Sequence, residues 1–203
     1  MDNFKHFERK LNWDFTENTI PPNITTTVVG TGKVIPKGIE QGGALVLSSP
    51  SYGDESSVYF PLIQPSRYDE TRVKVLLAKN STNPDSQHVL RIGLQSEDGN
   101  YHLMFNGEIK PSTKNNGVLS YAPIAVGWGV NRPTHFEFVW DKTKGVSFYV
   151  DNRLIAKRPV SDSPNPNIQY RLWVYCKNQE NPSTVTKEIG ITQASYNLAV
   201  YTK

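Results

Sequence analysis

Residues Thr134 to Lys157 read THFEFVWDKTKGVSFYVDNRLIAK, and this stretch decides the fold. It holds the runs HFEFVW, VSFYV and RLIA, separated by DKTKG and by Asp151-Asn152. Each run is rich in β-branched or aromatic side chains, which suit a pleated, half-buried surface. Asp and Asn tolerate the left-handed backbone that a two-residue hairpin turn demands. The stretch therefore predicts a three-stranded antiparallel meander.

The pattern continues outward in both directions. Strand-like runs occur at Leu11 to Thr16, Thr25 to Val29, Ala44 to Ser48, Ser57 to Leu62, Thr71 to Ala78, His88 to Gln95 and Tyr101 to Asn106. They continue at Gly117 to Tyr121, Ala125 to Trp128, Tyr170 to Cys176, Lys187 to Thr192 and Tyr196 to Tyr201. Glu97-Asp98-Gly99-Asn100 reads as a tight hairpin turn, and Lys142 to Gly145 as a turn that needs glycine for a positive φ. Ser161 to Asn167, Asn80 to Gln87 and Lys177 to Thr184 read as exposed loops, either rimming a binding cleft or inert. A helical turn is expected only near Phe4 to Lys10. Many short strands punctuated by turns indicate an all-β, two-sheet antiparallel sandwich or barrel. At 203 residues the chain suits one such domain spanning 1–203. A domain of that size buries about 70% of its unfolded surface and needs no disulfide.

Composition narrows the partners. Lys plus Arg number 22 against 19 for Asp plus Glu, and the charges are scattered without a basic stripe, which argues against a nucleic-acid partner. No apolar run is long enough to span a membrane, so no membrane insertion is expected. The N-terminal MDNFKHFERKLNW lacks the apolar stretch of a secretory signal. The expectation is a protein that acts where it is made or is released by a route such as lysis, unless a signal lies outside this sequence. The lone Cys176 has no partner for an internal bridge and is expected as a small buried hydrophobe.

At Trp13 to Val34, WDFTENTIPPNITTTVVGTGKV, and at Gly42 to Ser49, GGALVLSS, the sequence resembles the opening of concanavalin A-like lectin and glucanase domains. WDKTKGVSFYVDNRLIA, at Trp140 to Ala156, is similar to a characteristic hairpin of that superfamily, with Asn152 in place of its usual glycine. RLWVYC at Arg171 to Cys176 and KEIGITQASYNL at Lys187 to Leu198 resemble its last strands. The resemblance covers nearly the whole chain. It implies a jelly roll with one convex and one concave sheet, sugars lying on the concave sheet or at a rim loop. It specifies function poorly, because lectins, glycosidases, lyases, adhesion modules and virion proteins share the fold.

Alternation along strands separates two faces. Leu172, Val174 and Cys176 oppose Arg171, Trp173 and Tyr175; Leu90, Ile92 and Leu94 oppose Arg91, Gly93 and Gln95. Phe136, Phe138 and Trp140 oppose His135, Glu137 and Val139; Leu103 and Phe105 oppose His102, Met104 and Asn106. Aromatic rings stack on the apolar face of a pyranose, and planar polar groups direct hydrogen bonds to its hydroxyls. The candidate ligand-binding residues are therefore Arg91, His102, Glu137, Arg171, Trp173 and Tyr175. The alternative is an ordinary solvated sheet face. Trp128, between glycines in VGWGV, either stacks on a ligand at the rim or plugs the core, whereas Trp13 and Trp140 have the pattern of core residues.

No catalytic residue is assigned. The E-x-D-x-x-E strand of laminarinase-like enzymes and the R-x-E-x-R and Q-x-H strands of alginate lyases are missing, although Glu137 with His135 or His102 remains a conceivable acid/base pair. The galectin signature and the legume-lectin metal loop are also missing; no cofactor is assigned, and the sequence leaves a structural calcium ion open without indicating one. Three readings follow. The first is a non-catalytic module binding a glycan or glycoprotein. The second is a virion, phage-tail or adhesion module binding a receptor, and the third is a glycosidase or lyase. The sequence does not give the oligomeric state.

Overall fold

A computed structural model describes residues 5–80, 88–106, 110–122, 128–183 and 185–201. The first five strands are β1 (Lys5–Asp14), β2 (Thr25–Val29), β3 (Lys33–Lys37), β4 (Ala44–Ser49) and β5 (Glu55–Tyr59). Next come β6 (Glu70–Lys79), β7 (His88–Ser96), β8 (His102–Asn106), β9 (Lys110–Asn115) and β10 (Val118–Tyr121). The last five are β11 (Thr134–Asp141), β12 (Gly145–Val150), β13 (Arg153–Arg158), β14 (Tyr170–Asn178) and β15 (Lys187–Tyr201). They form two antiparallel sheets. The eight-stranded sheet runs β13-β12-β11-β6-β15-β4-β3, with β1 lying beside the second half of β15. The seven-stranded sheet runs β10-β9-β8-β7-β14-β5-β2.

The meander forms where the sequence predicts it. Phe136 pairs with Val150, and Asp151 and Asn152 both take positive φ, 48° and 63°. At the other end of β11, the Asp141 carboxylate accepts the backbone N–H groups of Thr143 and Lys144 at 2.9 and 3.0 Å, which closes the loop into β12. Gly145 follows at φ 86°, where an added Cβ would run into the Arg158 carbonyl.

The structure corrects several expected elements. The segment expected to hold a helical turn is strand β1, paired with β15 from Lys5↔Tyr201 to Asp14↔Gln193. The two strands expected after Lys187 are one long strand, whose register slips between Ile191 and Gln193 rather than turning. Strands β3 and β9 have no counterpart in the predicted runs. Loop residues 81–87, residues 125–127 of the expected strand ending at Trp128, and Thr184 lie outside the described residues.

The inner faces meet in one core. Phe105, from the seven-stranded sheet, packs against Phe136, Phe138 and Phe148 of the other sheet with ring centroids 5.3, 5.1 and 5.4 Å away. Trp13 sits edge-on to Phe60 and Tyr196 at 5.0 and 5.2 Å. Tyr196 links the layers with its hydroxyl, which accepts the Leu172 N–H at 2.9 Å and donates to the Pro61 carbonyl at 3.1 Å. Cys176 is fully buried, and burial pushes its thiol up to about 12. Because the core fills the inner faces, any ligand site built on strands must lie on an outer face.

Candidate functional site

Five of the candidate residues share the outer face of the seven-stranded sheet. Register explains why. Tyr175 lies opposite Arg91, Trp173 opposite Gly93 and Arg171 opposite Gln95, and on the far side of β7, Gln95 lies opposite His102. Since directly paired residues point the same way, one row of side chains crosses β14, β7 and β8. On the other flank Tyr59 pairs with Trp173, so β5 extends the same face.

The rings and guanidinium groups of this face pack on one another. Arg171 lies over Tyr59 at 4.2 Å, and Tyr59 is parallel to Trp173 within 8° at 6.3 Å. Trp173 is tilted against Tyr175 at 5.2 Å, and Arg91 covers Tyr175 at 5.6 Å. Cation–π and aromatic contacts thus make a ladder of five side chains across three strands. It leaves Trp173 only 7% exposed, with an indole N–H that meets no acceptor among the described residues. The indole is therefore a wall of the site rather than an open stacking platform.

Beside the ladder, toward β10, a cleft of about 410 Å³ opens on the same face. Arg91, Gln95, His102, Asn106 and Trp173 line it, and the edge strands add Lys110, Lys114, Leu119 and Tyr121. Tyr121 is 48% exposed, against 7% for Trp173, the other aromatic side chain of the described lining. It lies in a run read as an ordinary strand, so nothing in the sequence singled it out; its edge position depends on pairing with β9. Lys110 rests over its ring at 5.0 Å. His102 is buried beside Ser112, with its Nε2 3.4 Å from the hydroxyl oxygen. Burial, and then the positive charges of Lys114 and Arg91, pull its imidazole down to about 4. It is neutral at physiological pH and offers one donor and one acceptor. Burial, then the neighbouring Glu55, push the Tyr175 hydroxyl above the usual phenol range, so it stays protonated.

Glu137 does not join this group. It stands on β11, in the eight-stranded sheet, and points away from the core there, so it lies across the sandwich from His102. Arg72 donates to its carboxylate at 2.6 Å and Lys74 lies at 3.5 Å. Alternation along a strand assigns a face but not a sheet, which is why the sequence grouped Glu137 with the others. A pairing with His102 is excluded by this placement. Trp128 is also apart. It is 8% exposed, edge-on to Phe136 at 5.0 Å, with Lys79 over its ring at 5.3 Å. It plugs the core, as the second of its two readings held.

A second hollow, about 400 Å³, lies on the outer face of the eight-stranded sheet between Asn12, Asp14, Lys74, His135, Gln193 and Ser195. Among the described residues no group of three or more His, Cys, Asp or Glu side chains is arranged to hold a metal ion. No described helix is long and apolar enough to cross a membrane.

With this geometry in hand, the fold can be placed among solved structures. The carbohydrate recognition domain of Emp47p superposes with a TM-score of 0.65 at 12% identity, covering 91% of this chain and 93% of that one. Lectin II from Ulex europaeus gives 0.64 at 10% identity, covering 96% of this chain and 100% of that one. A protein of unknown function from Shewanella oneidensis gives 0.64 at 13% identity, covering 94% and 86%. No family model matches the chain, and no curated protein matches it in sequence. The chain has the concanavalin A-like jelly-roll fold of the lectins, as the resemblance in its sequence implied.

Proposed function

We propose that this protein is a non-catalytic glycan-binding module, and that it holds a saccharide in the cleft beside Trp173. The cleft itself carries the reading. It is an open hollow on the outer sheet face with a neutral imidazole, two side-chain amides, a guanidinium and an exposed tyrosine around it. Those groups match the mixed apolar and hydroxyl surface of a pyranose. Lectins and carbohydrate recognition domains among the structural neighbours support the same class of ligand. The non-catalytic part rests on the lining. Most glycosidases flank the scissile bond with two carboxyl groups, and the described lining of the cleft carries none. Isothermal titration against the hits of a glycan array tests the proposal. Binding should weaken about tenfold in Tyr121→Ala, the loss of one stacking ring being worth on the order of 1–3 kcal/mol. Failure to bind any saccharide would remove the reading.

A receptor-binding or adhesion role is the second reading, supported by the edge strands. Val28 and Val29 on β2 and Val118 and Leu119 on β10 are exposed apolar side chains on the two ends of the seven-stranded sheet. Light scattering separates the two: a discrete oligomer joined through those edges favours the second reading, and a monomer that binds sugar favours the first.

A further inference from the structure

The cleft is charged on one side of the ledger only. Its described lining holds Arg91, Lys110 and Lys114, with no aspartate or glutamate. Two further basic side chains on this face are matched among the described residues: Lys177 lies 2.8 Å from Glu55, and Arg171 lies 3.8 Å from Glu97. The three cleft cations have no carboxylate partner among the described residues. What they touch leaves most of their donors free. Lys114 gives one hydrogen bond, to the Gly99 carbonyl at 2.9 Å, out of three it can make. Lys110 and Arg91 rest on the rings of Tyr121 and Tyr175. These contacts hold the long side chains at the rim of the hollow instead of letting them trail into solvent, so ordering them adds less to the cost of binding.

Like charges gathered around one concavity repel one another, and they raise the potential inside it. An anion entering the cleft relieves that repulsion and gains charge-assisted hydrogen bonds, which are stronger than neutral ones. Gln95 and Asn106, also in the lining, are neutral and suit hydroxyl groups. We propose that the cleft takes an anionic saccharide, one bearing carboxylate or sulfate groups, with Arg91, Lys110 and Lys114 receiving the negative charge and Tyr121 the sugar ring. This deepens the glycan reading and rests on it.

The test is isothermal titration of the whole chain with two matched pairs: an oligogalacturonate and its methyl ester, and a sulfated galactan oligosaccharide and its desulfated counterpart. Inorganic polyphosphate serves as a polyanion without a sugar ring. The charged member of at least one pair should bind about tenfold more tightly than its neutral counterpart, as expected for one or two charge-assisted contacts. That preference should shrink as salt is raised from about 50 to about 300 mM, where screening shortens its reach. Lys110→Gln combined with Lys114→Gln, both at the rim and away from the core, should bring the ratio of charged to neutral affinity down toward one, whatever the double substitution does to neutral-sugar affinity itself. Which pair shows the effect tells carboxylate from sulfate. Equal binding of charged and neutral members would overturn the anionic assignment and leave the glycan reading intact. Equal affinity for polyphosphate would overturn it too, by reducing the cleft to an ion-exchange surface. A preference that survives the double substitution, or amide shifts centred on the eight-stranded sheet, would place the charge recognition elsewhere and overturn the assignment as well. If no saccharide of either kind binds, it is the glycan reading that falls.

Discussion

At the scale of single residues, two aromatic side chains on the same sheet face should behave in opposite ways. Trp173 is buried in the ladder between Tyr59 and Tyr175, so Trp173→Ala should cost about 3–5 kcal/mol of stability, read from urea unfolding. Tyr121 is half exposed on an edge strand, and Tyr121→Ala should change stability by no more than about 0.5 kcal/mol while weakening ligand binding. His102 and His88 supply a pH signature. Burial pulls them down to about 4 and about 3, from an ordinary value of 6.5. Between those values and 6.5 the unfolded chain binds more protons than the native one, so stability is fully present above pH 6.5 and falls as the pH drops toward 4. The melting temperature should therefore decline over that interval, and His102→Gln should flatten the decline. A melting temperature that holds constant from neutrality to pH 4 would contradict the neutral, buried imidazoles.

At the scale of elements, the turns are the sharpest part of the sequence's message, and they invite direct tests. Asp151 holds a positive φ, accepts the His135 N–H at 2.9 Å, and pairs with Arg132 at 3.2 Å. Asp151→Ala should lose about 1–2 kcal/mol, whereas Asn152→Gly, which restores the residue typical of such turns, should be neutral or slightly stabilising. Gly145→Ala should lose about 1–3 kcal/mol, because its φ and the nearby Arg158 carbonyl leave no room for a methyl group. Thermal unfolding of the three variants gives this ranking or refutes it. The same scale shows where local reading stops. Strand β9, KPSTKN, is polar and carries a proline, so nothing local marks it; it is a strand because Phe105 pairs with Pro111 and Met104 with Ser112. Pro36 hides β3 in the same way, tolerated because that strand is the edge of its sheet. Gln193 to Ser195 look like a turn, yet β15 runs through them because β1 and β6 flank it on both sides.

For the whole molecule, the sandwich itself was legible, since its strands and turns are local signals, whereas the site was legible only in part. Alternation correctly put Arg91, His102, Arg171, Trp173 and Tyr175 on outward faces, but membership of one sheet is a long-range fact. It joins β14 to β7 and separates β11 from both. Tyr121, Lys110 and Lys114 entered the cleft through the edge pairing of β9 and β10, which has no signature in sequence. A buried ion pair shows the same dependence on distant partners. Lys187 is completely buried and reaches Glu180 at 2.7 Å. Glu180→Ala would strand that ammonium in the interior and should cost about 3–5 kcal/mol, measured by chemical denaturation.

One arrangement has a practical consequence. The chain has four tryptophans; the Trp173 indole walls the proposed cleft, whereas Trp13 is turned into the core against Phe60 and Tyr196. Emission from an indole shifts when its surroundings gain or lose water. Trp173 thus serves as an intrinsic optical beacon: a ligand-induced emission shift that is lost in Trp173→Phe and kept in Trp13→Phe would report, without any label, that the ligand has entered beside Trp173.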